Sequence, residues 1–371
     1  MLAKFISVTV LIGLLMAVSH GCAWTRSKPP SWIQGASPEY PAERYLTGVG
    51  QAESNAVAGE RAYGAVAKIF KAEITAQSQD WESYLVLEKR GQTNTERHLT
   101  LDQITKVSTD KVIENVKLLD TWTDPKTGQH YALAGMDRAQ AGAALVERMN
   151  ELDQTVETEL TEAHQTQDKL AKVRNLRRAA KNLVLREALN ADLRVIRASG
   201  QGNPPPHRVA DLTAELEQFM AEHLLVAVEV SGDQADVTRR AVTEGLLREG
   251  LPVISQNGEG KSPELLVKGE VQLWDVSIPD PRFRYARWCS DFVITESGTQ
   301  RIVGAVSLGG REGHLTSSEA MSRAVRVMQQ ELTAHLAKTL AGYVYGDTAP
   351  PTELPPAACP GKAVIKDRGS S

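Results

Sequence analysis

The chain of 371 residues is 42% hydrophobic and 24% charged, a balance that excludes a disordered chain and leaves room for two modest domains with connectors. Its formal net charge of −4 supplies no global field to recruit nucleic acid, so no nucleic-acid partner is expected. Aromatic residues are only 5%, and the abundance of Ala favours helix.

Met1 to Lys4 is a short positive segment and Phe5 to Val18 an almost unbroken apolar run, with Ser19, Gly21 and Ala23 close behind. That order is a secretory leader, and the run falls short of the roughly 20 residues a spanning helix needs. Two maturation routes are open. Gly21 before Cys22 fits a lipobox, although His20 and Ser19 replace the usual small residue and Leu. Cys22 is then the lipidation site and an outer-membrane lipid the first partner, since each buried acyl methylene contributes about 0.8 kcal/mol. In the other route Gly21 and Ala23 form the small pair of an ordinary cleavage site, and the chain starts at Trp24.

Residues 22–136 read as a small α/β domain. A Pro-rich approach leads to a strand at Tyr45–Gly50, and Ser54 or Asn55 can cap a helix running to about Gln77, in which Ala58, Ala62, Ala65, Val66, Ile69 and Phe70 recur at helical spacing. Further strands are expected at Tyr84–Lys89, Val112–Thr121 and His130–Ala134, the last two joined by the turn TDPKTGQ.

Here Pro30-Ser31-Trp32, Tyr45, Gly48-Val49-Gly50, Arg61-Ala62 and the run LLDTWTDPKTGQHYALAGMDRAQA stand in an order that resembles the LPP-type twenty-kilodalton bacterial lipoprotein family, over about residues 29–145. The module is similar also to the N-terminal part of a flagellar H-ring assembly protein. The resemblance implies an envelope α/β module without an active site, and it favours acylation of Cys22.

Residues 137–199 carry apolar side chains at helical spacing, first Leu145, Met149, Leu152, Val156 and Leu160, then Leu170, Val173, Leu176, Ala180 and Leu183. The first series is acidic, with Glu147, Glu151, Asp153, Glu157, Glu159 and Glu162; the second is basic, with Lys169, Lys172, Arg174, Arg177, Arg178, Lys181 and Arg186. A single rod would reach ~95 Å at 1.5 Å per residue with its charges unpaired. Folding at AHQTQD sets acid against base, so a helical hairpin or coiled-coil spacer is expected, and Glu157 against Lys172 is one contact it suggests. The same apolar stripe could serve self-association.

After a linker at 200–207, residues 208–346 read as a second α/β domain: a helix from Val209 to Phe219, a strand in HLLVAVEV, a helix at Asp233–Glu249, a short strand LPVIS, then an antiparallel-type sheet closed by a long helix from Thr316 to Tyr343. In ELLVKGEVQLWDV, Leu265, Val267, Val271 and Leu273 alternate with Lys268, Glu270 and Gln272, giving one wet face. This unit resembles weakly the small domains of envelope lipoproteins that activate cell-wall synthases and the N-terminal domain of the periplasmic Tol translocation protein. Residues 347–371, rich in Pro and Gly, are expected to be disordered. Cys289 in a strand and Cys359 in this tail could pair or remain separate thiols.

The fold class is thus α+β, two small α/β sandwich-type domains separated by the helical hairpin, behind a leader at 1–21. Three motifs fall short of chemistry. SQNGEGKS has Ser255 where a phosphate loop needs its first Gly, and Pro263 leads into a strand. In GVGQAES, Glu53 replaces the third Gly of a dinucleotide fingerprint, and Gly48 and Gly50 more simply let the strand pack on Ala58 and Ala62. In AVSLG, Ser307 falls inside a strand, although His314 or His335 can be imagined as its base. The histidines show no metal spacing, His98, His130, His223 and His314 reading as surface or strand-edge residues. No catalytic, cofactor or metal residue is expected. The expectation is a non-enzymatic, outer-membrane-anchored periplasmic lipoprotein serving as scaffold in a flagellar or cell-wall assembly with envelope protein partners. The alternatives are a serine hydrolase using Ser307 and a soluble periplasmic binding protein.

Overall fold

The computed structural model describes residues 28–35, 37–77, 114–254, 262–278 and 282–360. The leader, Cys22, His98, the strand expected at 84–89 and the loop 255–261 lie outside them, as do residues 361–371. The described chain divides into two compact units, the first drawn from the described residues up to Ile69 and from 114 to Ala141, the second from 70–77 and from Gly142 onward. It is mixed α+β, with two sheets and several helices.

In the first unit β1 (Tyr45–Ala52), β2 (Lys117–Thr123) and β3 (His130–Asp137) form an antiparallel sheet in the order β1-β3-β2. β3 is central and buries Ala132 to Met136. Helix α1 (Asn55–Gln77) approaches β1 so closely that a Cβ on Gly50 would stand 2.1 Å from the Ala58 carbonyl oxygen, and one on Gly48 2.8 Å from that of Ala62. Small residues on both elements permit this approach, and Ala58, Ala62 and Val66 are fully buried. The turn between β2 and β3 is held by Asp124, whose carboxylate accepts from the Lys126 N–H at 2.9 Å and the Thr127 hydroxyl at 2.8 Å, with Gly128 at φ 71°.

The second unit takes all but the first residues of α2 (Arg138–Gln165) and the whole of α3 (Lys169–Ile196). They run antiparallel, because Glu159 meets Asn182 at 3.0 Å and Asp153 meets Arg186 at 3.1 Å. Asp168 ends the turn by accepting from the N–H groups of Leu170 and Ala171. The charge pairing is narrower than the pattern suggests. Arg178 reaches Glu159 at 3.3 Å, but Glu157 pairs with His207 and Lys172 lies over the Phe219 ring, so Glu157 and Lys172 do not face each other.

The pair also does not stand apart as a spacer. Val156, Leu160, Leu176 and Leu183 belong to one buried cluster with Val267, Phe292 and Leu340, so the stripe considered for self-association is covered within the chain. A helix pair with a wide apolar face loses more free energy exposed to water than it gains from separation.

Helix α4 (Val209–His223) leads to the second sheet, ordered β4 (Val226–Gly232), β5 (Leu265–Val276), β6 (Arg284–Glu296) and β7 (Ile302–His314). The sheet is mixed rather than antiparallel: β4 runs parallel to β5, joined through α5 (Ala235–Arg248), and the other pairs are antiparallel. Alternation along a strand carries no direction, whereas a helical connection permits a parallel neighbour. Among its described residues, LPVIS contributes one bridge, Val253 to Val226, and no strand. The chain then forms α6 (Ser317–Glu331), a π segment at Leu332–Leu336 and α7 (Ala337–Tyr345), ending on Gly346 in the left-handed region.

Candidate functional site

Trp32 is buried, and its indole N–H donates to Asp120 on β2 at 2.9 Å. Asp137 at the end of β3 accepts from the N–H groups of Ala139 and Gln140 and from Arg44 at 3.1 Å. The backbone donor of Gln140, then the Arg44 guanidinium, holds its carboxyl below the usual range. The motifs Pro-Ser-Trp and Gly-Val-Gly therefore act in packing and in joining strand to helix, and Gly50 against the Ala58 backbone leaves no room for a pyrophosphate at that strand end.

In the second unit the most densely bonded group is Arg186, 2% exposed. Its guanidinium donates to Asp153, to Glu187 at 2.7 Å, and to the carbonyls of Asn203 and Pro204 at 2.9 and 3.1 Å. Asn190 accepts from the Asn203 N–H at 2.7 Å. The segment 200–207, read in sequence as a linker, is thus fastened to α3. Two more arginines of the basic arm serve the far end of the fold: Arg174 donates to the carbonyls of Tyr343 and Val344 at 2.7 and 3.2 Å, and Arg177 pairs with Asp347 at 2.7 Å. Cations there meet the negative end of α7.

The outer face of the second sheet holds a feature that hydropathy did not reveal. Cys289 on β6 is disulfide-bonded to Cys359, 70 residues later, with Cα atoms 5.1 Å apart. The N–H groups of Ala358 and Cys359 donate to Asp291 at 2.8 and 3.0 Å, and Gln272 on β5 donates to the Pro360 carbonyl at 3.3 Å. The tail expected to be disordered from 347 is instead clasped to the sheet at 358–360. Low hydrophobicity hides this, because the closure is covalent and polar; the two cysteines were its only sequence signal.

Ser307 lies on β7 directly opposite Asp291, well inside the strand. No sharp strand-to-helix turn presents its hydroxyl. Asp291 is occupied by the tail, His314 pairs with Glu319 at 2.7 Å, and His335 pairs with Glu331. His130 bonds Thr123, and His223 pairs with Glu222. Among the described residues no group of three or more His, Cys, Asp or Glu is placed to hold a metal, and no helix is long and apolar enough to cross a membrane. An open groove of 760 Å³ runs beside β4 and α5, lined by Val228, Val230, Arg240, Glu244 and Leu247.

Residues 30–137 match the LPP20 lipoprotein family, which is the family resemblance read from the sequence. The match covers the first sheet and α1, and it supports a lipoprotein of the cell envelope. No curated protein matches the chain. Among solved structures, the secreted protein HP1454 from Helicobacter pylori is similar at 14% identity over 78% of this chain and 98% of its own, with a TM-score of 0.36. Protein XCC0632 from Xanthomonas campestris aligns at 12% identity over 34% of this chain and 88% of its own, TM-score 0.28. A minor lipoprotein from Acinetobacter baumannii aligns at 11% over 35% and 98%, TM-score 0.26.

Proposed function

We propose that the protein is a lipoprotein of the outer membrane, anchored on its periplasmic face through acylated Cys22, and that it works as a non-enzymatic scaffold in an envelope assembly. The observation that carries this is the LPP20 match over residues 30–137, a few residues behind a leader that ends at Gly21 and is followed by Cys22. Acyl chains on Cys22 hold the chain at the bilayer with no spanning helix, since several buried methylenes act together. A scaffold needs rigid bodies, and the buried Arg186 network and the Cys289–Cys359 clasp make the second unit one. The position of Ser307 inside β7 favours a structural over a hydrolytic role. The partners are envelope proteins, of a flagellar or a cell-wall assembly.

Intact-mass measurement of the mature protein tests the anchor: a chain beginning at lipid-modified Cys22 supports it, and one beginning at Trp24 removes it. Crosslinking in membranes followed by pull-down tests the scaffold. Recovery of the protein alone, or labelling of Ser307 by a fluorophosphonate probe, would overturn it.

A further inference from the structure

At one end of the second sheet, β5, β6 and β7 place Trp274, Arg287 and Arg311 side by side in one cross-strand row on the outer face. Like charges directly opposite each other on a sheet are destabilising, and neither arginine forms an ion pair among the described residues. Arg311 is held in place: its guanidinium lies 5.5 Å over the Tyr285 ring, and that ring covers Gly313, where a Cβ would meet it at 2.8 Å. Among the described residues the nearby acids are engaged or lie on the other face. Glu312 accepts from Arg323 at 3.0 Å, Glu319 pairs with His314, and Asp275 stands opposite Ala286.

The same end exposes apolar side chains. Phe283 precedes β6 between Arg282 and Arg284 and is 38% exposed; Leu315 follows His314, the strand partner of Arg284, and is 66% exposed. An otherwise acidic chain therefore gathers four arginines, two aromatic rings and two exposed apolar residues at one sheet end, as a surface rather than a cavity.

We propose that this end docks on an anionic phospholipid bilayer, with Arg287 and Arg311 on headgroup phosphates and Phe283 and Leu315 at the acyl boundary. Arginine forks match phosphate oxygens, and Trp and Tyr favour the interface. An extended array of headgroups suits a flat row of side chains better than a single small anion would. The contact needs no acyl chain on Cys22, so it stands or falls apart from the anchor.

The test is co-sedimentation of the chain beginning at Trp24 with vesicles of phosphatidylglycerol and phosphatidylcholine, and with phosphatidylcholine alone. Binding is expected to the anionic vesicles only and to weaken with salt. Replacing both arginines, R287A with R311A, should lower partitioning about 25-fold, at about fivefold for each cation near the surface. The lysine pair R287K with R311K should retain most of it, and Phe283→Ser should weaken binding without changing the salt dependence. Thermal melting of the alanine pair should match or exceed the parent, which separates lost docking from lost folding. Equal binding to neutral vesicles, no loss in the alanine pair, or no sedimentation with the anionic vesicles would each overturn the proposal.

Discussion

Arg186 of α3, almost wholly buried, donates through Nε to Asp153 of α2 at 3.1 Å and through its terminal nitrogens to the carbonyls of Asn203 and Pro204. One side chain thus ties both arms of the helix pair to the segment that follows them. Removing it takes a donor from two carboxylates, Asp153 and Glu187, and from two carbonyls. Arg186→Met should destabilise the chain by about 3 kcal/mol, read from chemical denaturation, while Asp153→Asn, which keeps an acceptor, should cost less.

The register of the helix pair gives a geometric test. A short bismaleimide should join cysteines placed at Glu159 and Asn182, whose side chains meet at 3.0 Å. The pair Glu157 and Lys172 should not be joined, because the first faces His207 and the second Phe219. The reverse result would require a different register.

Gly50→Ala places a methyl 2.1 Å from the Ala58 carbonyl, so strand and helix must separate. A loss of about 3 kcal/mol is expected, from the cost of overpacking a closed contact. Gly64→Ala, on the same helix with open space at its Cβ, should instead stabilise by about 1 kcal/mol. Thermal melts of the two variants moving in opposite directions would check both.

Cys359→Ser should free the tail from β6. Limited proteolysis is expected to cut within 347–360, Cys289 should become open to alkylation, and stability should fall by about 2–4 kcal/mol. Unchanged protection of Cys289 would mean that Asp291 and Gln272 hold the tail unaided.

Two carboxylates give pH dependence of opposite sign. Burial raises Asp168, but the Ala171 N–H and Arg301 outweigh it and hold the group below its ordinary 3.8. Its stabilisation is complete above the unfolded value and is lost as pH falls through the folded one. Asp168→Asn should therefore make acid unfolding shallower, followed by circular dichroism from about pH 5 to about pH 1. Glu159 is raised, chiefly by burial, against the opposing bonds from Asn182 and Arg178. Its contribution is lost as pH rises through the folded value, and Glu159→Gln should remove that loss.

Local pattern by itself determined a good deal of this protein. The strand at Tyr45 and the small-residue helix after Asn55 follow from short-range spacing, as do the Asp124 turn and the family carried by the order of motifs over 30–137. So do the two helices broken at 166–168. The face of β5 expected to be wet is not: of Lys268, Glu270 and Gln272 only Lys268 is exposed, because the tail at Pro360 lies against Gln272. What spacing cannot carry is which surface meets which. Only the tertiary structure decided that the helix pair packs into the second core, because an apolar stripe records that it must be buried and not against what. It also set β4 parallel to β5, since alternation has no direction, and fastened Cys359 to Cys289 across 70 residues. The unpaired row of Arg287 and Arg311 arose the same way: two cations far apart in the chain became neighbours when strand register aligned them.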